Sequence, residues 1–259
     1  MATNWDAHID GFLPEDGDAG TLVGRIWRPD VEGPSVVSIR EGGVVDITAA
    51  APTMSALTNA DDPVALAGSD GEGLGDLRAI AANSVAESRD TNKPWFLSPA
   101  DLHSHKACGV TFVRSLLERV IDERTSGDPA LAEEVRKELL NSIGIDLSDV
   151  VPGSDEAETV KSALLDRDMW SQYLEVGIGP YAEVFSKAQP MSSVGFGAEI
   201  GIHPMSTWNN PEPEVVLVGN ATGEIVGAAL GNDVNLRDVE GRSALLLSLI
   251  HISEPTRPY

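Results

Sequence analysis

The sequence predicts an α+β protein: a small N-terminal α/β unit, a helical insertion, and a strand-rich C-terminal part. Three observations carry that expectation. Apolar residues alternate in short runs over residues 21–47, they recur at helical spacing over residues 116–143, and from Tyr173 onward short apolar runs return between Gly-rich turns.

The first strand-like runs are Thr21–Trp27, Ser35–Ile39 and Val44–Ile47, with Gly42-Gly43 turning the chain between the last two. Their β-branched residues suit a pleated, half-buried surface. A helical, acid-rich segment follows, punctuated by Gly71-Glu72-Gly73. Pro94-Trp95-Phe96-Leu97-Ser98-Pro99 reads as the boundary to a second domain. Beyond it, Leu116, Leu117, Val120 and Ile121 line one helix face, and Leu131, Val135, Leu139 and Ile143 line another. Asp128-Pro129 supplies an N-cap and a proline at the first helical position. This stretch is expected to form an insertion or lid, with Gly144–Ser154 as its turn. There is no internal repeat.

At 259 residues, with 42% hydrophobic and 23% charged side chains, the chain can bury a sizeable core. Its formal charge of −23 argues against nucleic-acid partners and anionic membranes, both of which want a basic face. The acids are spread along the chain, as on a heavily solvated surface; a salt-adapted host would fit equally. No apolar run approaches the ~20 residues of a membrane helix. Cys108 is the one cysteine, so no internal disulfide can form. That usage, and an N-terminus without a basic start and apolar run, predict a cytoplasmic protein. Cys108 sits in Ala107-Cys108-Gly109-Val110 and reads as a core residue.

The chemistry concentrates in Trp208-Asn209-Asn210-Pro211-Glu212-Pro213-Glu214-Val215-Val216-Leu217-Val218 and the later Gly231-Asn232-Asp233-Val234-Asn235-Leu236-Arg237-Asp238. Residues i and i+2 share a strand face, so Glu212 and Glu214 point the same way at the mouth of a strand apolar enough to be buried. An adjacent strand, Ile225 to Leu230, can bring Asp233 to the same place. Three carboxylates repel unless a proton or cation lies among them. Oxygen ligands with room for water suit Mg²⁺ or Mn²⁺ better than zinc. The same residues also describe a solvated strand mouth and a turn aspartate. His103 and His105 lack a partner cluster and read as a surface or strand-edge pair. Gly195-Phe196-Gly197 reads as a loop.

Taken together, Glu-x-Glu before an apolar strand and Gly-Asn-Asp-Val-x-x-Arg-Asp after the next resemble the fumarylacetoacetate hydrolase superfamily. The resemblance spans about Pro99 to Leu247 and implies a mixed β-barrel-like catalytic fold. It implies that Glu212, Glu214 and Asp233 hold the divalent metal, Mg²⁺ or Mn²⁺. Phe185–Gly195 looks like the family's Phe-x-Lys loop beside the substrate, which implies Lys187 and Ser193 as substrate contacts. Arg237 stands where the family has an arginine, and a guanidinium suits a substrate carboxylate. Glu240 stands where many relatives have glutamine and is a further substrate contact. Glu183, near the Lys187 loop, is the candidate acid/base.

Within the superfamily, Leu13-Pro14-Glu15-Asp16-Gly17, Trp170-Ser171-Gln172-Tyr173-Leu174-Glu175-Val176-Gly177-Ile178-Gly179-Pro180 and the block Asn209-Asn210-Pro211-Glu212-Pro213-Glu214 are similar to dehydratases of 2-keto-3-deoxy-D-xylonate or D-arabinonate. Hydrolytic members carry Gly-x-Asn-Tyr-x-x-His-x-x-Glu, whose His–Glu dyad activates water. Here the segment is Gly109 to Glu118, with Glu118 kept as a catalytic candidate and Ser115 in the histidine's place. Serine without a partner is no general base near neutral pH, whereas elimination of water survives that change. The expected reaction is therefore dehydration of a small 2-keto sugar acid to 2,5-dioxopentanoate in pentose oxidation, by a protein that is homo-oligomeric at full length. The alternative is an acylpyruvate-type C–C bond hydrolase.

The last residues, Ser248 to Tyr259, resemble a translated sequencing adapter, whereas related dehydratases continue with a lysine-bearing segment. The expected organisation is thus residues 1–98, a partial catalytic domain 99–247, and a non-native tail 248–259. A third functional expectation follows: an incomplete, inactive fragment, poorly folded at its C-terminal end.

Overall fold

A computed structural model of the chain describes residues 4–41, 43–109, 113–125, 128–143, 150–166, 168–170, 174, 177–179 and 184–240. Side chains are described within these except at 113–116, 119, 123, 139–143 and 240. The chain forms two compact units, one of residues 1–104, 188–205 and 210–234, the other of residues 105–187, 206–209 and 235–259. It is a mixed α and β structure with antiparallel sheet pairing.

The first unit opens with α1 (Trp5–Asp10), then β1 (Leu22–Arg28), β2 (Gly33–Arg40) and β3 (Gly43–Asp46). These three strands form the antiparallel meander that the alternation predicts. Short helices α2 (Met54–Thr58) and α3 (Pro63–Ala67) begin at Thr53 and Asp62, whose side chains accept the amides of Ala56 and Ala65. Gly71-Glu72-Gly73 does not merely punctuate helices. It leads into β4 (Glu72–Asp76), which pairs with β3. Poor strand propensity hid this element, and its partner strand decides it. After α4 (Leu77–Asn83), β5 (Trp95–Leu97) completes a sheet of order β4-β3-β2-β1-β5.

Both faces of that sheet are covered. Ile26, Val37, Ile39, Val44 and Phe96 pack with Leu77, Ile80 and Ala81 of α4. Val36 packs on the other side with Ile47, Met54, Leu57 and Ala67. Each large apolar side chain so buried contributes ~1.5–3 kcal/mol, which makes this sheet the anchor of the unit. A buried ion pair ties β1 of this sheet to α2. Arg25 donates to the carbonyls of Ser98 and Ala100 and lies 3.6 Å from Asp101. The Asp101 carboxylate accepts the amides of Met54 and Ser55 at 2.6 and 3.0 Å.

The second unit contains β6 (His105–Cys108), α5 (Val113–Thr125), α6 (Pro129–Ile143), α7 (Asp155–Leu165) and β7 (Val184–Ala188). Leu117, Val120 and Ile121 of α5 are buried with Ala132, Val160, Leu164, Leu174 and Ile178. Asp128 caps α6 by accepting the amides of Ala130 and Leu131. Of the expected α6 face, Val135 packs on this core as expected, while Leu131 is exposed and Ala132 is buried instead; the Leu139 and Ile143 side chains lie outside the described residues. Cys108 is exposed rather than in the core, because the period of two on β6 turns it outward with Lys106. Strands were expected from Tyr173, but Leu174, Gly177 and Ile178 are helical and strand structure begins at Val184.

Later in the chain come β8 (Asn209–Asn210), β9 (Pro213–Gly219), β10 (Ile225–Asn232), β11 (Asn235–Leu236) and α8 (Arg237–Glu240). β8 pairs with β11, and β9 with β10 in an antiparallel hairpin that belongs to the first unit. The hairpin tip is held where the Ala221 amide donates to Asn59 Oδ1 at 2.7 Å. The hairpin strands were expected to be buried, yet Val215, Leu217 and Leu230 are 70%, 60% and 90% exposed. Two strands alone cover neither of their own faces. The returning segment 188–205 is fixed more tightly. Phe196 meets Trp5 and Phe12 edge-on. Gly195 lies so close to β5 that a Cβ there would come within 2.5 Å of the Leu97 carbonyl carbon.

Candidate metal centre

The hairpin register builds the carboxylate cluster. Gly231 lies opposite Glu214 and Asn232 opposite Pro213, so the next residue, Asp233, comes opposite Glu212. The Asp233 amide donates to the Glu212 carbonyl at 2.9 Å. Glu212 and Asp233 thus face each other across the strands, and Glu214 joins them on the same face two residues along. One carboxylate oxygen from each of the three lies within 4.8 Å of the others. Among the described residues this is the group of acidic and histidine side chains with metal-holding geometry. Glu212 and Asp233 are partly buried and Glu214 is exposed, which leaves the cluster open on one side to water or a ligand. The sequence-expected trio is therefore brought together.

Ser193 lies in the same unit, on the segment packed against β5. Its hydroxyl is 2.6 Å from that of Ser98, and the Ser98 oxygen also accepts the Ala100 amide. The other expected residues belong to the second unit. Lys187 lies on β7, its Nζ 5.8 Å from the centre of the Phe185 ring. Arg237 opens α8, directly after the buried β11. Glu240 ends α8, and its side chain lies outside the described residues. Glu118, on α5, accepts from Arg136 Nε at 2.7 Å and Nη2 at 2.5 Å. Paired with Glu118 and also Glu133, the Arg136 guanidinium is held above its ordinary pKa. Glu183, residues 248–259, the Ser115 side chain and most of the Gly144–Ser154 turn lie outside the described residues.

Two residues quoted in the motif were given no role by sequence reasoning. Asn232 accepts the Glu212 amide on its Oδ1 at 3.0 Å. Asp238, after Arg237, accepts from the Ser206 hydroxyl at 2.7 Å and the Thr207 amide at 2.8 Å. Those bonds, the Ser206 hydroxyl first, hold the Asp238 carboxyl below its usual range. The signal for Asn232 was present in the pattern Pro-Glu-Pro, where only the glutamate retains an amide hydrogen. His103 is accounted for structurally: its Nε2 is 2.9 Å from the Thr58 hydroxyl and its Nδ1 3.6 Å from Asp101. No helix of the described residues is long and apolar enough to cross a membrane.

No protein-family profile matches the chain. It is 30% identical over 155 residues to the probable 2-keto-3-deoxyxylonate dehydratase of Haloferax volcanii, an alignment covering 49% of this chain and 51% of that protein. It is 40% identical over 65 residues to the 2-dehydro-3-deoxy-D-arabinonate dehydratase of Saccharolobus solfataricus, covering 25% of this chain and 22% of that one. The chain thus spans about half the length of the first relative and less of the second. Among solved structures, the apo form of a 2-keto-3-deoxy-D-arabinonate dehydratase superposes with a TM-score of 0.53 at 17% identity, over 88% of this chain and 60% of that one. The same enzyme complexed with magnesium and 2,5-dioxopentanoate gives 0.50 at 17% identity, over the same shares. The structural likeness is one of fold. In sequence, the chain is similar to 2-keto-3-deoxy-pentonate dehydratases, as its motifs led us to expect.

Proposed function

We propose that this chain carries the metal-binding part of a Mg²⁺-dependent hydro-lyase, which dehydrates a 2-keto-3-deoxy-D-pentonate (xylonate or arabinonate) to 2,5-dioxopentanoate. The observation that carries the reading is the meeting of Glu212, Glu214 and Asp233 within 4.8 Å at one hairpin mouth. An all-oxygen donor set, open on one side, fits Mg²⁺ or Mn²⁺, which favour hard ligands and retain waters. When bound, such an ion supplies Lewis acidity toward the oxygens of a 2-keto acid. Similarity to curated pentonate dehydratases supports the substrate class.

The remaining roles belong to side chains. Arg237 would grip the substrate carboxylate with two parallel N–H donors. Lys187, Ser193 and Glu240 would contact the sugar acid. Glu183 would take the C3 proton or deliver one to the departing C4 hydroxyl, with Glu118 as the second catalytic carboxylate. On this reading residues 1–98 form the N-terminal domain, and residues 99–247 contribute to a mixed, barrel-like catalytic domain. The working protein is a cytoplasmic homo-oligomer in pentose oxidation, without nucleic-acid or membrane partners.

The test is a two-substrate assay in Mg²⁺. Formation of 2,5-dioxopentanoate from a 2-keto-3-deoxy-D-pentonate, abolished by chelator and restored by metal, is the expected result. Release of pyruvate from acetylpyruvate at a higher rate would instead place the chain with the C–C bond hydrolases.

A further inference from the structure

We infer that Asn232 is a positioning residue of the carboxylate cluster: its side-chain carbonyl holds the Glu212 backbone and so sets the spacing of Glu212 and Asp233. The inference rests on the cluster's being a divalent-metal site. Pro211 and Pro213 have no amide hydrogen, so across residues 211–213 Glu212 offers the one backbone donor. A backbone N–H needs an acceptor, and the ladder does not supply one here. Strand pairing of β9 with β10 ends at the match of Asn232 with Pro213. Beyond that point the Asn232 side chain takes over, with Oδ1 at 3.0 Å from the Glu212 nitrogen. The Asp233 amide closes the other side by donating to the Glu212 carbonyl at 2.9 Å. Glu212 is thus tied through both its backbone groups to the two residues that precede and include the third carboxylate.

The prolines confine the same residue. Pro213 pushes Glu212 toward extended geometry, and Pro211 fixes the backbone before it. Asparagine meets a narrow requirement. Leucine has the same branching at Cγ but no acceptor, and aspartate has the acceptor but would add a fourth negative charge beside three. A neutral acceptor orders the ligands before a cation arrives, which lowers the ordering cost of binding.

The experiment titrates Mn²⁺ alone into the full chain, following the free ion by electron paramagnetic resonance. Hydrogen exchange of the Glu212 amide is followed by NMR. Asn232→Leu is expected to weaken Mn²⁺ binding about tenfold and to speed Glu212 amide exchange. Parent-like affinity in that variant, with the fold intact, overturns the inference. Should Asn232→Leu fail to fold, Asn232→Asp decides. It retains the acceptor, so it must keep the Glu212 amide protected, and rapid exchange there overturns the inference. No Mn²⁺ binding by the unsubstituted chain is a distinct result: it overturns the metal reading itself, and the role of Asn232 falls with it.

Discussion

Glu214→Gln separates a metal centre from an acidic surface patch, because the two predict opposite signs for stability. One carboxylate oxygen each of Glu212, Glu214 and Asp233 lies within 4.8 Å of the other two. At that distance each like-charged pair costs about 0.9 kcal/mol in a water-like medium and about 3.5 kcal/mol at an effective dielectric of ~20. Glu214 faces two such partners, and salt screens only part of the repulsion at this range. Neutralising it is therefore expected to stabilise the metal-free chain by about 1–2 kcal/mol. With metal the sign reverses. An ion at ~100 times its Kd stabilises the parent by about 2.7 kcal/mol, and a ~100-fold loss of affinity cuts this to about 0.4 kcal/mol. Urea unfolding with and without saturating Mg²⁺, for parent and variant, gives the four numbers. A variant that gains as much stability from Mg²⁺ as the parent, whatever its stability without metal, would refute the assignment.

Asp101→Ala is expected to destabilise the first unit by ~3–5 kcal/mol, since it strands the buried Arg25 charge and leaves the Met54 and Ser55 amides without their acceptor. Urea midpoints measure it, and a change below about 1 kcal/mol would contradict the burial argument. Asp46 sets an acid-side limit. Burial pushes its carboxyl up, but hydrogen bonds from Thr48, Arg28 and Ser35 outweigh burial and hold it below the usual carboxylate value. A depressed folded pKa contributes stability above the unfolded value of ~3.9, which is lost as pH falls through the lower folded value. Asp46→Asn should accordingly lower stability at neutral pH and converge with the parent in acid, as read from urea midpoints across about pH 2–7.

Short-range physics made much of this protein legible from its residues. The alternation over residues 21–47 is enough for the three-strand meander, because one register alone buries both apolar sets. Asp128-Pro129 announces the start of α6 through local capping. The carboxylate cluster was legible for a similar reason: Glu212 and Glu214 share a face by the period of two, and a hairpin register needs only a short turn to place Asp233 opposite.

What required tertiary structure depends on partners distant in sequence. β4 has almost no strand propensity and exists because β3 offers it an edge. Asp101 acts as the acceptor for a helix that begins 47 residues earlier, which no local pattern announces. Gly195 reads from sequence as part of a loop, and only the structure shows that its missing Cβ is what lets the chain approach Leu97. Asn232 sat in plain view inside a motif: Pro-Glu-Pro marked a lone backbone donor in the sequence, but only the strand register decides that the Asn232 side chain is the acceptor it meets. Periodicity and capping act within a few residues and can be read in order along the chain. Long-range pairing, close backbone approach and the fate of a single leftover donor are set only when segments far apart in sequence meet.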